Sequence, residues 1–273
     1  MTGKRILFAL AAVFFSLANL SACFGEASFN VVGDLSYNFN LEPGGRVMGE
    51  ITVENEGNED GEVKIYFVDY LHYADGRNLF EKAGSSARSN APWFSVSPGQ
   101  ASVPAKGSLK VHYSLSVPAN PALRGTYWSI LMVEPIPVSF LTPADQKDDV
   151  NVRVVTVARF GIQMITNIGR SGEVKIRFID RSLVKEGGKP LLRLDVLNEG
   201  EKLATPHVWA EFFNSKGKSS GPIDGSRQRI YPGCSGRYIM DLSGLAPGGY
   251  QIVVVADNGD DNVFGANYAM DLK

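Results

Sequence analysis

The densest cluster of oxygen ligands in the chain is Asp257-Asn258-Gly259-Asp260-Asp261. Carboxylates and amides at this spacing suit a hard cation such as Ca²⁺, but an EF-hand loop needs a bidentate Glu at a fixed distance, which is missing here. Asn-Gly between two apolar runs is also the strongest short hairpin signal, so a turn is the expectation. The three histidines, His72, His112 and His207, lie far apart, each in or beside a strand pattern. A metal site needs several ligands brought together, so they are expected as separate surface or half-buried side chains. No HExxH, P-loop, dinucleotide or CxxC pattern occurs. No catalytic residue, metal or cofactor is predicted, and the chain is not expected to be an enzyme. Trp93, Trp128 and Trp209 sit within strand-like runs; core packing is their expected role, and exposure on one face would instead suit sugar binding.

The two cysteines are Cys23 and Cys234, too few for a disulfide framework. Cys234 stands in Pro-Gly-Cys-Ser-Gly and is expected to be buried rather than reactive. Cys23 closes Leu20-Ser21-Ala22-Cys23, after Lys4-Arg5 and a run of mostly apolar residues from Ile6 to Leu20. A basic head, an apolar run too short to span a bilayer and small residues before a cleavage point make a secretory signal. The four residues ending in cysteine resemble a bacterial lipobox, which implies cleavage before Cys23 and a lipid on its sulfur. Residues 1–22 are then a lipoprotein-type signal peptide, 23–27 a tether, and the bilayer a partner through Cys23. The alternative is ordinary cleavage after Ala27, which leaves a soluble periplasmic protein. Phe24 is not the acidic residue that often retains lipoproteins at the inner membrane, so the outer membrane or cell surface is the expected address.

The elements that must position any site are strands. Removing the signal leaves roughly 250 residues, enough for one large or two medium domains. Beyond the signal, apolar residues alternate or form short β-branched and aromatic runs between Gly, Pro, Asn and Asp clusters. Strands are predicted near 29–40, 46–54, 61–70, 93–96, 108–117, 126–134 and 150–166, then 173–180, 190–197, 206–214, 226–230, 235–241, 249–256 and 263–272. The fold class is therefore all-β, with two immunoglobulin-like sandwiches in tandem, over 28–168 and 172–273. An internal echo agrees: Val53-Glu54-Asn55-Glu56-Gly57 returns as Val196-Leu197-Asn198-Glu199-Gly200, and the Gly125-Thr126-Tyr127 entry to a strand returns as Gly248-Gly249-Tyr250. The surplus length of the first half falls in 70–92, with a turn at Ala74-Asp75-Gly76-Arg77, and in 139–149.

Lys and Arg total 27 against 29 Asp and Glu, a net charge of −2. That balance lacks the basic stripe nucleic acid demands, so no nucleic-acid partner is expected.

The stretch 150–166 alternates for far longer than a strand of about 5–6 residues. One face reads Val150, Val152, Val154, Thr156, Ala158, Phe160, Ile162 and Met164; the other is mixed, with Arg153 and Arg159 its charges. A long, weakly charged strand is an aggregation hazard unless covered by its own domain, the other domain, a second copy or a client peptide. Arg153, Val155, Val157 and Arg159 are the candidate residues for binding an added strand.

Over residues 28–166 the chain resembles the PapD-like periplasmic pilus-assembly chaperones. The resemblance rests on Leu41-Glu42-Pro43-Gly44, Ile51-Thr52-Val53-Glu54-Asn55, Ser108 to Pro118, Tyr127 to Pro137, and the variable loop and long strand that follow. It implies two immunoglobulin-like domains set as a boomerang, with a pilin bound on the cleft side through a lent strand. It also implies a basic residue in the first strand, which holds the terminal carboxylate of the subunit, and a lysine in the long strand. This chain departs at both: Ser28 to Asn40 holds no Arg or Lys, and no lysine lies between Val150 and Met164. The expected function is a chaperone-like or scaffolding envelope protein that binds extended or pilin-like polypeptide by strand addition. The alternative is a surface adhesin or a cell-wall or glycan-binding sandwich.

Overall fold

The computed structural model describes residues 27–137 and 158–273. In the first half the strands are β1 (Phe29–Val32), β2 (Ser36–Leu41), β3 (Arg46–Asn55), β4 (Gly61–His72), β5 (Asn78–Lys82), β6 (Phe94–Ser97), β7 (Gln100–Val103), β8 (Ser108–Ser116), β9 (Gly125–Ile136) and β10 (Phe160–Ile168). The second half holds β11 (Ile176–Glu186), β12 (Lys189–Asn198), β13 (His207–Asn214), β14 (Ser219–Arg227), β15 (Ser235–Asp241), β16 (Gly248–Asp257) and β17 (Val263–Leu272). Apart from one short 3₁₀ turn at Ala91–Trp93, all of these elements are strands.

Two sheets make the first sandwich, one ordered β1-β3-β8-β6 and the other β2-β10-β9-β4-β5, with β7 also on β4. Alternation sets the faces. In β8, Val111, Tyr113 and Leu115 are buried while Lys110 and His112 face out. Val53, Val63, Leu131, Val133, Ile162 and Met164 meet these residues from both sheets as one core. Two sheets also build the second sandwich, β11-β12-β15 and β14-β13-β16-β17, around Leu194, Val196, Val208, Phe212, Tyr238 and Val254.

The single strand predicted over 29–40 is two. β1 pairs antiparallel with β3; the chain then turns at Gly33-Asp34-Leu35 and crosses to the other sheet, where β2 lies parallel to β10. The hairpin strand β5 and the four-residue β7 were not predicted, and the strand expected at 226–230 is instead β14, ending at Arg227. Pro222, Gly221 and Gly225 interrupt the β14 pattern, and its pairing with β13 shifts register twice, so local alternation is weak there.

The two sandwiches touch closely. Trp128 on the outer face of β9 stacks on Tyr231 with centroids 4.5 Å apart, and its indole N–H donates to the Tyr70 carbonyl at 2.7 Å. Trp128 and Ile165 belong to the same buried cluster as the core of the second sandwich. At the start of β9, Thr126 N–H donates to the Glu201 carbonyl at 2.8 Å, and Leu203 N–H donates to Thr126 Oγ1 at 2.9 Å. Gly125 is required here: its φ is +75°, and a Cβ would stand 2.1 Å from the Glu201 carbonyl oxygen.

Candidate functional site

Of the strand expected over 150–166, residues 160–168 form β10; Arg153, Val155 and Val157 lie outside the described residues. β10 is an interior strand for most of its length, with β9 antiparallel on one side and β2 parallel on the other from Gln163 to Ile168. The expected need for cover is met there by a strand of the same domain. Cover from β2 stops at Gln163, whose N–H donates to the Leu35 carbonyl at 2.9 Å, because the chain upstream of Ser36 has crossed to the opposite sheet. Backbone groups alternate sides along a strand. Since Gln163 directs its N–H toward β2, Gly161 directs its N–H and C=O to the same side, where no described strand meets them.

The sheet face beside this gap is apolar. Ile130 and Met132 of β9 are buried on the outer face, next to Gly161. Cross-strand register continues the face through Tyr66 and Val68 of β4 to Phe80 of β5, which is 60% exposed. A Cβ at Gly161 would press on Ile130 at 3.0 Å, so the missing side chain lets β10 lie close to Ile130 and Met132. Arg159 is described and exposed, and its guanidinium lies 3.5 Å from Glu134 Oε1. The Tyr66 hydroxyl donates to the other Glu134 oxygen, which pushes the Tyr66 pKa up.

Two residues along the same face from Gly161, a cleft of about 360 Å³ opens between the sandwiches, lined by Tyr70, His72, Gln163, Arg229, Tyr231 and Arg237, among others. Arg229 Nη1 donates to Ser36 Oγ at 2.8 Å and to Gln163 Oε1 at 2.9 Å, and the Tyr231 hydroxyl donates to the same Gln163 oxygen at 3.1 Å. Arg237 is neutralised by a two-pronged contact with Asp195, both bonds 2.7 Å. Arg229 has only neutral partners among the described residues, so its charge is available to an incoming anion. Sequence reasoning missed Arg229: it looked for a basic residue in the first and last strands of the first domain, and this one comes from the second domain. Ser28 to Asn40 holds no Arg or Lys.

The remaining candidates are separate. His112 is 3.9 Å from Glu50 on the outer face of β8, His207 bonds Asp224 at 2.5 Å, and His72 lines the cleft. The loop 257–261 closes the β16–β17 hairpin; Asp260 oxygens are occupied by Asn258 Nδ2 and by Asn262 N–H and Nδ2. Trp128 is in the core and Trp93 packs at its margin, as expected, but Trp209 shares the outer face of β13 with His207 and Glu211, opposite the buried Val208 and Ala210. Cys234 is buried in the second core, and burial pushes its thiol up to about 11, which keeps it an unreactive thiol. Cys23 lies outside the described residues.

No family model and no curated protein matches the sequence. Among solved structures, the chain is similar to one from the chaperone–tip adhesin complex of CFA/I fimbriae biogenesis, with 13% identity and a TM-score of 0.48 over 89% of this chain and 98% of that one. It is similar to the E. coli chaperone DraB at 17% identity, TM-score 0.42, over 90% and 97%. A third likeness is to the CsuC–CsuE chaperone–tip adhesion subunit complex of Acinetobacter baumannii, at 13% identity, TM-score 0.44, over 88% and 98%.

Proposed function

We propose that this is an exported, lipid-anchored envelope protein that binds extended polypeptide as a chaperone-like or scaffolding factor for pilus or surface-structure assembly. Cys23 carries the lipid; 28–168 and 172–273 are the two domains. The observation that carries the binding reading is the open side of β10 at Gly161, bordered by an apolar face and ending at the unneutralised Arg229. An added strand takes its main-chain hydrogen bonds from Gly161 and sets alternate side chains on Tyr66, Val68 and Phe80, with Val155 and Val157 the further candidates from the sequence. Its terminal carboxylate is received by Arg229, which supplies from the second domain the cation that the first strand lacks.

The test is binding of a synthetic peptide of alternating apolar residues, with a free or an amidated C-terminus. Amidation and Arg229→Gln each weaken binding by about tenfold, and together by little more than either alone, as expected of partners in one contact. Val157→Pro removes a strand donor and abolishes binding with the second domain still folded. Equal affinity for both peptides in wild type and Arg229→Gln would discard the carboxylate role, and full binding by Val157→Pro would discard strand addition and favour the adhesin reading. Labelling with a fatty-acid analogue, lost in Cys23→Ser, tests the anchor.

A further inference from the structure

The second sandwich has an edge that its sequence does not protect. β11 is blunted by a register shift after Phe178 and by Arg177, Asp180, Arg181, Lys185 and Glu186. β14 carries Pro222 and two register shifts, and β15 lies against β14. β17 is different. It runs ten residues, pairs with β16 without a shift, contains no proline and holds one charge, Asp271. No strand pairs with its other side among the described residues, although β11 of the facing sheet comes near it. Phe264, Tyr268 and Met270 on its inner face are only partly buried, with the Arg181 guanidinium 4.2 Å over the Tyr268 ring. A long, regular, weakly charged edge invites pairing.

We infer that β17 pairs antiparallel with β17 of a second copy, making a two-fold dimer with one continuous sheet across both second domains. The backbone limits the register. Asn258 N–H donates to the Asn262 carbonyl, so the pairs bonded across the hairpin are 258/262, 256/264 and onward in steps of two. The odd-numbered residues of β17 therefore turn their N–H and C=O groups outward. A two-fold contact must bring odd residues opposite odd ones.

Charge selects among the allowed registers. With Asn267 opposite its own copy, Gly265 faces Ala269, Val263 faces Asp271, and Asp261 faces Lys273 at both ends. Sliding two residues one way sets Asp271 against Asp261, a direct like-charge contact. Sliding two residues the other way sets Lys273 against Val263 and loses both ion pairs. The centred register alone joins opposite charges, and it seats Phe264 opposite Met270 across the inner face, extending the core over the flank. The contact is self-complementary, as a two-fold interface requires.

The oligomeric state of the exported, processed chain, measured by light scattering across a dilution series, tests this. The wild type is expected to be dimeric. Asn267→Pro removes only an outward N–H, at an edge position where a strand tolerates proline, and yields a monomer with unchanged circular dichroism. Lys273→Asp weakens the dimer by about tenfold, because the two-fold axis repeats the repulsion, and Asp261→Lys in the same chain restores it. Asn267→Cys forms an intermolecular disulfide on mild oxidation, since bonded antiparallel partners sit about 5.5 Å apart at Cα. A monomeric wild type, a dimer indifferent to Asn267→Pro, or no rescue by the charge swap would each overturn the assignment.

Discussion

One buried side chain in each sandwich shows how a single residue holds a turn. Asn55 Nδ2 donates to the Glu59 carbonyl at 2.8 Å and to the Val103 carbonyl at 3.1 Å, while its Oδ1 accepts from Gly57 N–H at 3.0 Å. Asn198 repeats the arrangement: Nδ2 to Lys202 at 2.7 Å and to Ile230 at 2.8 Å, with Oδ1 accepting from Gly200 N–H at 2.9 Å. Each plug ties the turn after a core strand to a second segment of its sandwich. Truncating Asn198 strands three backbone groups, two of them deep in the fold, and an unmet buried group costs about 1–3 kcal/mol. Asn198→Ala is therefore expected to lower stability by about 3 kcal/mol in chemical denaturation, and a loss under about 1 kcal/mol would mean that water replaces the amide. The Asn-x-Gly echo in the sequence pointed to these turns. That the amide is a buried three-bond plug could not be read from it, because the accepting carbonyls of Val103 and Ile230 are distant in sequence.

At the scale of elements, strands with clean alternation were legible and those shaped by neighbours were not. β8, β12, β15 and β17 fall close to where the pattern predicts them. β5, β7 and β14 are short or broken by glycine and proline, and exist because β4 and β13 offer them an edge. The β16–β17 hairpin was foreseen from Asn258-Gly259, and Gly259 has φ +79°. A Cβ there meets only ordinary contacts at 3.5 Å or more, so Gly259→Ala should cost only the left-handed backbone penalty, about 1 kcal/mol. Thermal unfolding checks this: a shift larger than about 8 °C would mean the turn does more than close the hairpin.

The whole molecule is two sandwiches joined through a packed interface, and His72 stands in it. Its ring lies 5.6 Å from Tyr70 and 5.9 Å from Tyr231, and Nδ1 is buried with no hydrogen-bond partner among the described residues. Burial holds its pKa below the usual 6.5, with a hydrogen bond to the Arg229 backbone partly offsetting the effect. The folded state thus takes up the proton less readily than the unfolded chain. Stability from this group is fully present above the unfolded pKa and is lost as pH falls from there through the folded value. The denaturation midpoint should drop as pH falls below about 6.5, and His72→Phe should flatten that slope. An unchanged slope in the variant would assign the acid sensitivity to other groups.

The sequence by itself determined the class of the fold. Alternation at period two and the spacing of turn residues are local, and they require many short strands, each with one face toward a core. It also placed a hairpin turn at Asn258-Gly259, and that turn joins β16 to β17. Only the tertiary structure decided which strand neighbours which, because the same alternating pattern suits an edge or an interior strand. It thereby decided that β2 covers β10 only from Gln163 onward, and that β17 is left as the long edge. It also decided that Arg229, 193 residues from Ser36 in the chain, stands 2.8 Å from its hydroxyl. A cation's place in a cleft between two domains depends on how the domains dock, and no local period in either one carries that information.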